Sequence, residues 1–249
     1  MIAAALLVQI DVRIDAVAQG RGGNAPASAR AAAPRDFTGY WVAVVTEHWH
    51  LRMMMPPKGD YAMLPLTPEG RKAANAWDPA KDRAEGNECR AYGAAGLMRI
   101  PGRLHLHWAD DNTLQLDTDS GTQTRLLRFG APGAAGPPGA APTWQGRSTA
   151  QWQGLGGRGG RATGQLRVVT TGMRPGYLRR NGVPYSENAR LEEFLETFTE
   201  PNGDSWLIVT SIVTDPRYLA QPYATTYPFK KIGDRAGWDP TPCRADEPR

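Results

Sequence analysis

The feature of this sequence that most restricts its fold is a long succession of strand-like segments in residues 142–229. Runs rich in tryptophan, valine and threonine alternate there with turn residues, as in the Glu-Pro-Asn-Gly-Asp turn at residues 200–204. Short connections make consecutive strands antiparallel neighbours. Such strands hide their hydrogen-bonding edges most simply by closing on themselves. The stretch therefore predicts an all-β protein that forms a barrel.

The first half of the chain adds more strands and one helix. Its predicted strands cover residues 37–47, 94–100, 103–108, 113–118 and 122–129. Thr67 and Pro68 begin the predicted helix, because Thr is a good N-cap and Pro suits the first helical position. Residues 81–93 are predicted to be a loop, and the glycine-rich residues 130–141 and 154–164 flexible connections. The patterns together predict an antiparallel up-and-down β-barrel of about 8–10 strands with one short helix.

Changes in composition divide the chain into four parts. Residues 1–18 resemble a signal peptide, but no basic residue precedes their apolar run, so we expect an upstream piece to be missing. Residues 19–35 predict a disordered leader, residues 36–231 a single barrel domain, and residues 232–249 a C-terminal tail. No later segment approaches about eighteen consecutive apolar residues. We therefore expect a periplasmic or secreted protein without a membrane span.

Charge and cysteine content restrict the partners and the compartment. The formal net charge is +4, and the basic residues are scattered without a run of five like charges, which argues against a nucleic-acid partner. The chain has two cysteines, Cys89 and Cys243. An even number in an exported protein predicts one disulfide, which would tie the C-terminal tail to the domain. Two free buried thiols are the alternative.

All four histidines fall in two H-x-H pairs, His48 with His50 and His105 with His107. Residues i and i+2 of a strand point to the same face, so two such pairs on neighbouring strands can surround a Zn²⁺ or Cu²⁺ ion. The leucines that alternate with the second pair face the core, which predicts that His105 and His107 lie on the outer face. Two interpretations stay open: a four-histidine metal site, and ordinary half-exposed strand histidines.

A long loop between two predicted strands is the best place for ligand-binding groups. Residues 174–186 carry arginine and tyrosine between glycine and proline hinges, and these side chains suit a carboxylate, a sugar or an aromatic acid. Several of the eight tryptophans fall on strands, where they can line a barrel interior. The predicted ligand-binding residues are Trp41, Trp108, Trp152, Arg174, Tyr177 and Tyr185. The alternative is a packed structural loop and ordinary core tryptophans.

Two groups of motifs resemble known proteins. The Gly-Tyr-Trp sequence at residues 39–41 is similar to the G-x-W that opens the first strand of lipocalin-like (calycin) barrels. The back half resembles a group of uncharacterised secreted bacterial proteins, through W-x-G-x-S-x-x-x-W at residues 144–152, G-x-P-Y-S at 182–186 and the Asp-Pro segment at 215–222. This resemblance implies a secreted β-barrel of the lipocalin-like kind and implies no activity.

Three functions are compatible with these observations. The first is an exported lipocalin-like protein that binds a small, partly apolar or aromatic ligand in a barrel cavity. The second is an enzyme, either metal-dependent through the two H-x-H pairs or a metal-free lyase, hydrolase or isomerase that uses tyrosine and arginine in the barrel. The third is a structural module of the cell envelope, which a filled barrel interior would favour. Motifs for a serine nucleophile or a nucleotide-binding loop are absent from the sequence.

Overall fold

The structure is a computed structural model that describes residues 28–130, 136, 139–155 and 163–246. The predicted signal-peptide-like segment, most of the predicted leader and parts of both predicted flexible connections lie outside the described residues. The described end of the leader packs against the domain, although the sequence predicts disorder for it. The Ala29 carbonyl accepts a hydrogen bond from Trp152 Nε1 at 2.8 Å, and the Arg30 amide donates to the Asp111 carbonyl at 3.0 Å.

The described residues form eleven strands, nine of which close into a barrel. In chain order the strands are β1 (Gly39–Ala43), β2 (Arg103–Asp110), β3 (Thr113–Thr118), β4 (Gln123–Phe129), β5 (Arg147–Leu155), β6 (Thr163–Thr171), β7 (Gly176–Arg179), β8 (Val183–Tyr185), β9 (Arg190–Thr199), β10 (Ser205–Thr214) and β11 (Tyr223–Ile232). The order around the barrel is β1-β11-β10-β9-β6-β5-β4-β3-β2, and β7 and β8 form a separate hairpin. The predicted closed β-barrel is therefore confirmed.

One pair of strands departs from the predicted up-and-down topology. All neighbours in the barrel are antiparallel except β4 and β5, which run parallel with Leu127 opposite Ser148 and Phe129 opposite Ala150. Parallel neighbours require a crossover connection instead of a tight turn. Residues 130–146 provide that connection, so the predicted strictly up-and-down order is wrong at this point.

Side chains of the protein itself fill the barrel. The alternating pattern of β2 and β3 turns leucines inward, as the sequence predicts. The main core cluster includes Leu104, Leu106, Leu114, Leu116, Leu127, Leu166, Val168, Leu195, Leu207, Val209 and Phe229. A buried ion pair lies in the barrel interior, with Arg125 Nη2 2.6 Å from Glu193 Oε2. The interior is a packed core.

The remaining elements gather at one end of the barrel. β1 ends at this end and its antiparallel neighbour β2 begins there. In the same way, β6 ends there and its antiparallel neighbour β9 begins there. The connection between β1 and β2 contains α1 (Trp49–Arg52), α2 (Pro68–Asn75), α3 (Pro79–Ala84), a 3₁₀-helix (Glu88–Tyr92) and α4 (Ala94–Leu97). β7 and β8 pack on α2, α4 and the 3₁₀-helix. We call this assembly of helices and the β7–β8 hairpin the cap.

The helices confirm one prediction and correct two others. Thr67 caps α2 as predicted, because its Oγ1 accepts a hydrogen bond from the Gly70 amide at 3.0 Å. Residues 81–93, predicted to be a loop, contain most of α3 and the 3₁₀-helix, and residues 94–100, predicted to be a strand, contain α4. None of the helices in the described residues has the length and apolar character needed to cross a bilayer.

The predicted disulfide is present between Cys89 and Cys243, which are 154 positions apart in the chain. It joins the 3₁₀-helix of the cap to the C-terminal tail. Hydrogen bonds beside it continue this attachment, because the Thr241 amide donates to the Asp119 carbonyl and Thr122 Oγ1 donates to the Thr241 carbonyl, both at 2.9 Å. The tail is therefore held against the capped end of the barrel.

Candidate functional site

Trp41, the first of the predicted ligand-binding residues, is a packed core residue at the start of the barrel. Its side chain is 1% exposed, and its Nε1 donates to the Phe37 carbonyl at 3.1 Å. The ammonium group of Lys231 lies 5.3 Å from the centre of its ring, a cation–π distance. Groups of the protein thus accept the hydrogen bond of Trp41 Nε1 and cover the Trp41 ring.

Trp108 and Trp152 lie at the end of the barrel opposite the cap. Their ring centres are 6.3 Å apart, and Phe129 lies 4.8 Å from Trp152 and 5.7 Å from Trp108. Phe37 also stacks on Trp152, with ring centres 5.5 Å apart. These aromatic contacts pack that end of the barrel around the core.

Arg174 lies on the surface of the cap. Its guanidinium group stacks on the Trp144 ring at 4.0 Å and donates a hydrogen bond to Asn87 Oδ1 at 3.2 Å. The loop that carries it is largely the β7–β8 hairpin. The structural role of Arg174 is therefore to join this hairpin to neighbouring parts of the chain.

Tyr177 and Tyr185 line a cavity of about 240 Å³ within the cap, and the other four predicted residues do not. The Tyr177 hydroxyl donates to Asp82 Oδ2 at 2.6 Å, and Arg90 Nη1 lies 2.5 Å from Asp82 Oδ1. Burial raises the pKa of both tyrosines, and Asp82 raises that of Tyr177 further. Both phenols keep their protons at neutral pH, so they are poor general bases.

A second cavity, of about 470 Å³, lies between the cap and the first half of β11. Three arginines from separate elements line it: Arg52 ends α1, Arg99 follows α4, and Arg179 ends β7. Tyr223 and Tyr227 of β11 also line it, and the Arg52 guanidinium group lies 5.0 Å from the centre of the Tyr227 ring. We call it the arginine cavity. Its volume lies within the range of sites for small organic molecules.

The three arginines use only part of their hydrogen-bonding capacity. Arg52 Nε donates to the Arg99 carbonyl at 3.2 Å, and Arg99 Nη2 donates to the Leu51 carbonyl at 3.3 Å. Arg179 Nη2 donates to the Ala62 carbonyl at 2.7 Å. Both terminal nitrogens of Arg52, together with Nε and Nη1 of Arg179, are buried without a hydrogen-bond partner. Four donor nitrogens of Arg52 and Arg179 therefore have no hydrogen-bond acceptor among the described residues.

No salt bridge within the described residues neutralises the charge of the three arginines. Arg52, Arg99 and Arg179 are at most 6% exposed. Burial lowers the pKa of Arg52 and of Arg179, with the positive charge of Arg99 adding to both shifts. Arginine nevertheless stays protonated in proteins, so the cavity concentrates positive charge in a poorly hydrated place. One carboxylate, Glu47, faces these three cations.

Exposed apolar side chains are concentrated in the cap segment that also contributes Arg52 and Met63 to this cavity. Five of the six strongly exposed large apolar side chains in the described residues belong to one segment of the cap: Trp49, Met53, Met54, Met55 and Met63. Met63 lines the cavity itself. We call these five residues the methionine rim. Exposed apolar patches of this kind often mark binding sites, and methionine adapts to ligands of different shape.

The structure separates the four histidines. His48 lies at the start of α1, where it lines the arginine cavity, and His50 lies within α1. His105 and His107 lie on the outer face of β2, as the sequence predicts, and their third neighbour is Asp117. Neither His48 nor His50 belongs to this group, so the predicted four-histidine arrangement does not form.

Comparison of the chain with protein-family models, curated proteins and solved structures found no match. Sequence reasoning missed Arg52, Arg99 and the two tyrosines of β11. Arg179 belongs to the candidate loop at residues 174–186 but is not among the predicted ligand-binding residues. The signal that could have indicated Arg52 is its position as the one cation within the apolar segment 51–57.

Proposed function

We propose that this protein is an exported, lipocalin-like barrel that binds a small, partly apolar ligand bearing one anionic group. The site is the arginine cavity at the capped end, and the ligand lies outside the packed barrel interior. The observation that carries the proposal is the presence of four buried guanidinium nitrogens without partners, two each on Arg52 and Arg179, in one cavity. The disulfide supports export, and the buried G-x-W tryptophan at the start of β1 supports the lipocalin-like assignment.

A buried cation is unfavourable unless an opposite charge and hydrogen bonds compensate for its lost hydration, and the penalty is several kcal/mol per ion. A carboxylate, sulfate or phosphate group would supply both the charge and the acceptors. Arginine is well suited to this role because its planar donor groups match these anions in two-point contacts. The arrangement therefore favours an anion as the missing partner of Arg52 and Arg179.

The walls indicate the rest of the ligand. Tyr223 and Tyr227 add aromatic side chains to the lining, and Met63 of the methionine rim adds an apolar one. An anionic head among the arginines would thus have an apolar part of its own molecule against tyrosine and methionine. Medium-chain fatty acids and aromatic acids have this division, and both fit the partly apolar ligand that the sequence predicts.

The proposal is tested with octanoate and 1-octanol, which share a chain and differ in charge. Isothermal titration calorimetry on the tag-free chain should show octanoate binding at least ten-fold more tightly than 1-octanol. Arg179→Met should weaken octanoate binding by roughly 10- to 100-fold, since a hydrogen bond to a charged group contributes about 1.5–3 kcal/mol. Its effect on 1-octanol should be small.

Arg174→Met is the matched control, because this nearby arginine is on the cap but does not line the cavity. It should leave octanoate affinity unchanged. Equal octanoate affinity of the wild type and Arg179→Met would contradict the proposed site. A loss in Arg174→Met alone would instead return the site to the loop that the sequence predicts.

The packed interior supports a second candidate function, a structural module of the cell envelope. Fully buried leucines and the Arg125–Glu193 pair occupy the place where barrel proteins often hold ligands. In this case the arginines would serve only to join cap segments, through their bonds to the carbonyls of Leu51, Ala62 and Arg99. Failure of octanoate to bind, with loss of thermal stability in Arg179→Met, would favour this function.

A further inference from the structure

The outer wall of the barrel carries a cluster of side chains that can act as metal ligands. This cluster is separate from the arginine cavity. His105 and His107 lie two positions apart on β2, so their side chains share the outer face. Asp117 of β3 is the direct cross-strand partner of His105. One potential ligand atom from each of the three residues lies within 4.8 Å of the other two. Two imidazoles and a carboxylate thus converge from adjacent strands.

The distances are close to those of a metal site. His107 Nδ1 lies 3.7 Å from Asp117 Oδ2, and the two imidazole rings stack with centres 4.6 Å apart. Metal bonds of about 2.1 Å in tetrahedral geometry place ligand atoms roughly 3.4 Å apart. His107 Nδ1 is buried and has no hydrogen-bond partner. Small rotations of the side chains would therefore close the site around an ion.

Neighbouring residues hold the carboxylate and one imidazole in place. Gln115 Nε2 donates to both oxygens of Asp117, at 2.9 and 3.0 Å, and Thr124 Oγ1 donates to Oδ1 at 2.6 Å. The ring of Tyr40 stacks on His105 at 4.1 Å, nearly parallel to it. Such supporting contacts orient metal ligands and reduce the ordering that binding requires.

We propose that His105, His107 and Asp117 form a binding site for one divalent transition-metal ion, Cu²⁺ or Zn²⁺. Imidazole nitrogen suits these ions, and a mixed set of two nitrogens and one oxygen disfavours Mg²⁺ and Ca²⁺, which prefer oxygen alone. Three protein ligands on the face of a sheet leave at least one coordination position open to water or a further ligand. Cu²⁺ binds more tightly than Zn²⁺, as the general order of divalent affinities requires.

The test measures metal binding by the tag-free full-length chain after removal of metal with a chelator. Equilibrium dialysis against CuCl₂ or ZnCl₂, read by elemental analysis, should give one ion per chain at low micromolar metal. His105→Gln and His107→Gln should each weaken binding by at least ten-fold. Asp117→Asn should weaken it as well, because the amide loses the negative charge but can keep the contact with Thr124.

The other H-x-H pair is the matched control. His48→Gln with His50→Gln removes the same number of imidazoles from the cap and should leave one bound ion per chain. Electron paramagnetic resonance of the Cu²⁺ form of the wild type should show coupling to two imidazole nitrogens, which does not depend on any variant folding. Binding that survives in His105→Gln and His107→Gln, or that disappears in the control, would overturn the proposal, as would a Cu²⁺ spectrum without two nitrogens.

Discussion

The buried ion pair between Arg125 and Glu193 allows a sharp test of the barrel. Their side chains are 1% and 2% exposed, with two hydrogen bonds of 2.6 and 3.1 Å between them. Glu193→Gln keeps the shape of the side chain but leaves the Arg125 cation buried without a countercharge. Removal of one partner of such a pair destabilises a protein by about 3–5 kcal/mol. For a domain of this size that corresponds to a lowering of Tm by roughly 6–20 °C.

Circular dichroism during urea and thermal unfolding measures this loss, and the chain provides its own control. Glu192, the next residue, faces outward, is 18% exposed and pairs with Arg167 and Arg190. Glu192→Gln should lower stability by less than about 1 kcal/mol, as surface ion pairs contribute little. Replacing Arg125 and Glu193 together with methionine should recover most of the loss. Equal losses in Glu193→Gln and Glu192→Gln would refute the reasoning.

Three further predictions concern stability. Replacing Cys89 and Cys243 with serine should lower the free energy of unfolding by about 5 kcal/mol in urea titrations, because the disulfide closes a loop of 154 residues in the unfolded chain. An unchanged free energy of unfolding would contradict this model. Gly182→Ala should lower the free energy of unfolding by at least about 2 kcal/mol in the same titrations, because Gly182 has a φ of 80° and a Cβ there would collide with the Trp77 side chain. An unchanged urea midpoint would show that the cap can adjust. Burial alone would raise the pKa of Glu192, but hydrogen bonds from Arg190 and Arg167 outweigh it and lower the pKa. The stability that the ionised Glu192 contributes is therefore present above the unfolded pKa near 4.5 and is lost as pH falls through the lower folded value. The difference in urea midpoint between the wild type and Glu192→Gln should therefore shrink between pH 6 and about pH 3, and a constant difference would count against this assignment.

The hairpins are the part of the fold that the sequence predicts best. β9 and β10 pair along their whole length on either side of the predicted turn at residues 200–204. β2 and β3 pair around the turn at residues 110–112, with leucines inward and histidines outward as expected. In such hairpins the turn and the period-two pattern set the register locally.

The incorrect predictions arose where a short pattern is compatible with two structures. Residues 94–100 are a brief apolar run, and such runs do not distinguish a strand from a buried helix. In the structure Ala94, Leu97 and Met98 are buried, a spacing of three and four that fits α4. The parallel pairing of β4 with β5 was equally hidden, because the glycine-rich connection between them carries no signal for its path.

The candidate sites illustrate the same limit. Asp117 could have been assigned to His105 from the hairpin register, since the two residues are cross-strand partners in a predicted hairpin. No local rule, however, brings Arg52, Arg99 and Arg179 together from a short helix, a turn and a hairpin strand. Their meeting depends on how the cap folds over the barrel end.

By itself the sequence determined most strands of the barrel, the inward and outward faces of its hairpins, the capped helix at Thr67 and the disulfide partners. These features follow from residue type, two-residue periodicity and the count of cysteines, which act over a few positions or leave one choice. Only the tertiary structure decided that the barrel closes between β1 and β11, that its interior is filled, and that three arginines share a cavity. Those outcomes depend on contacts between distant segments, whose free energies are set by packing and burial in the whole molecule.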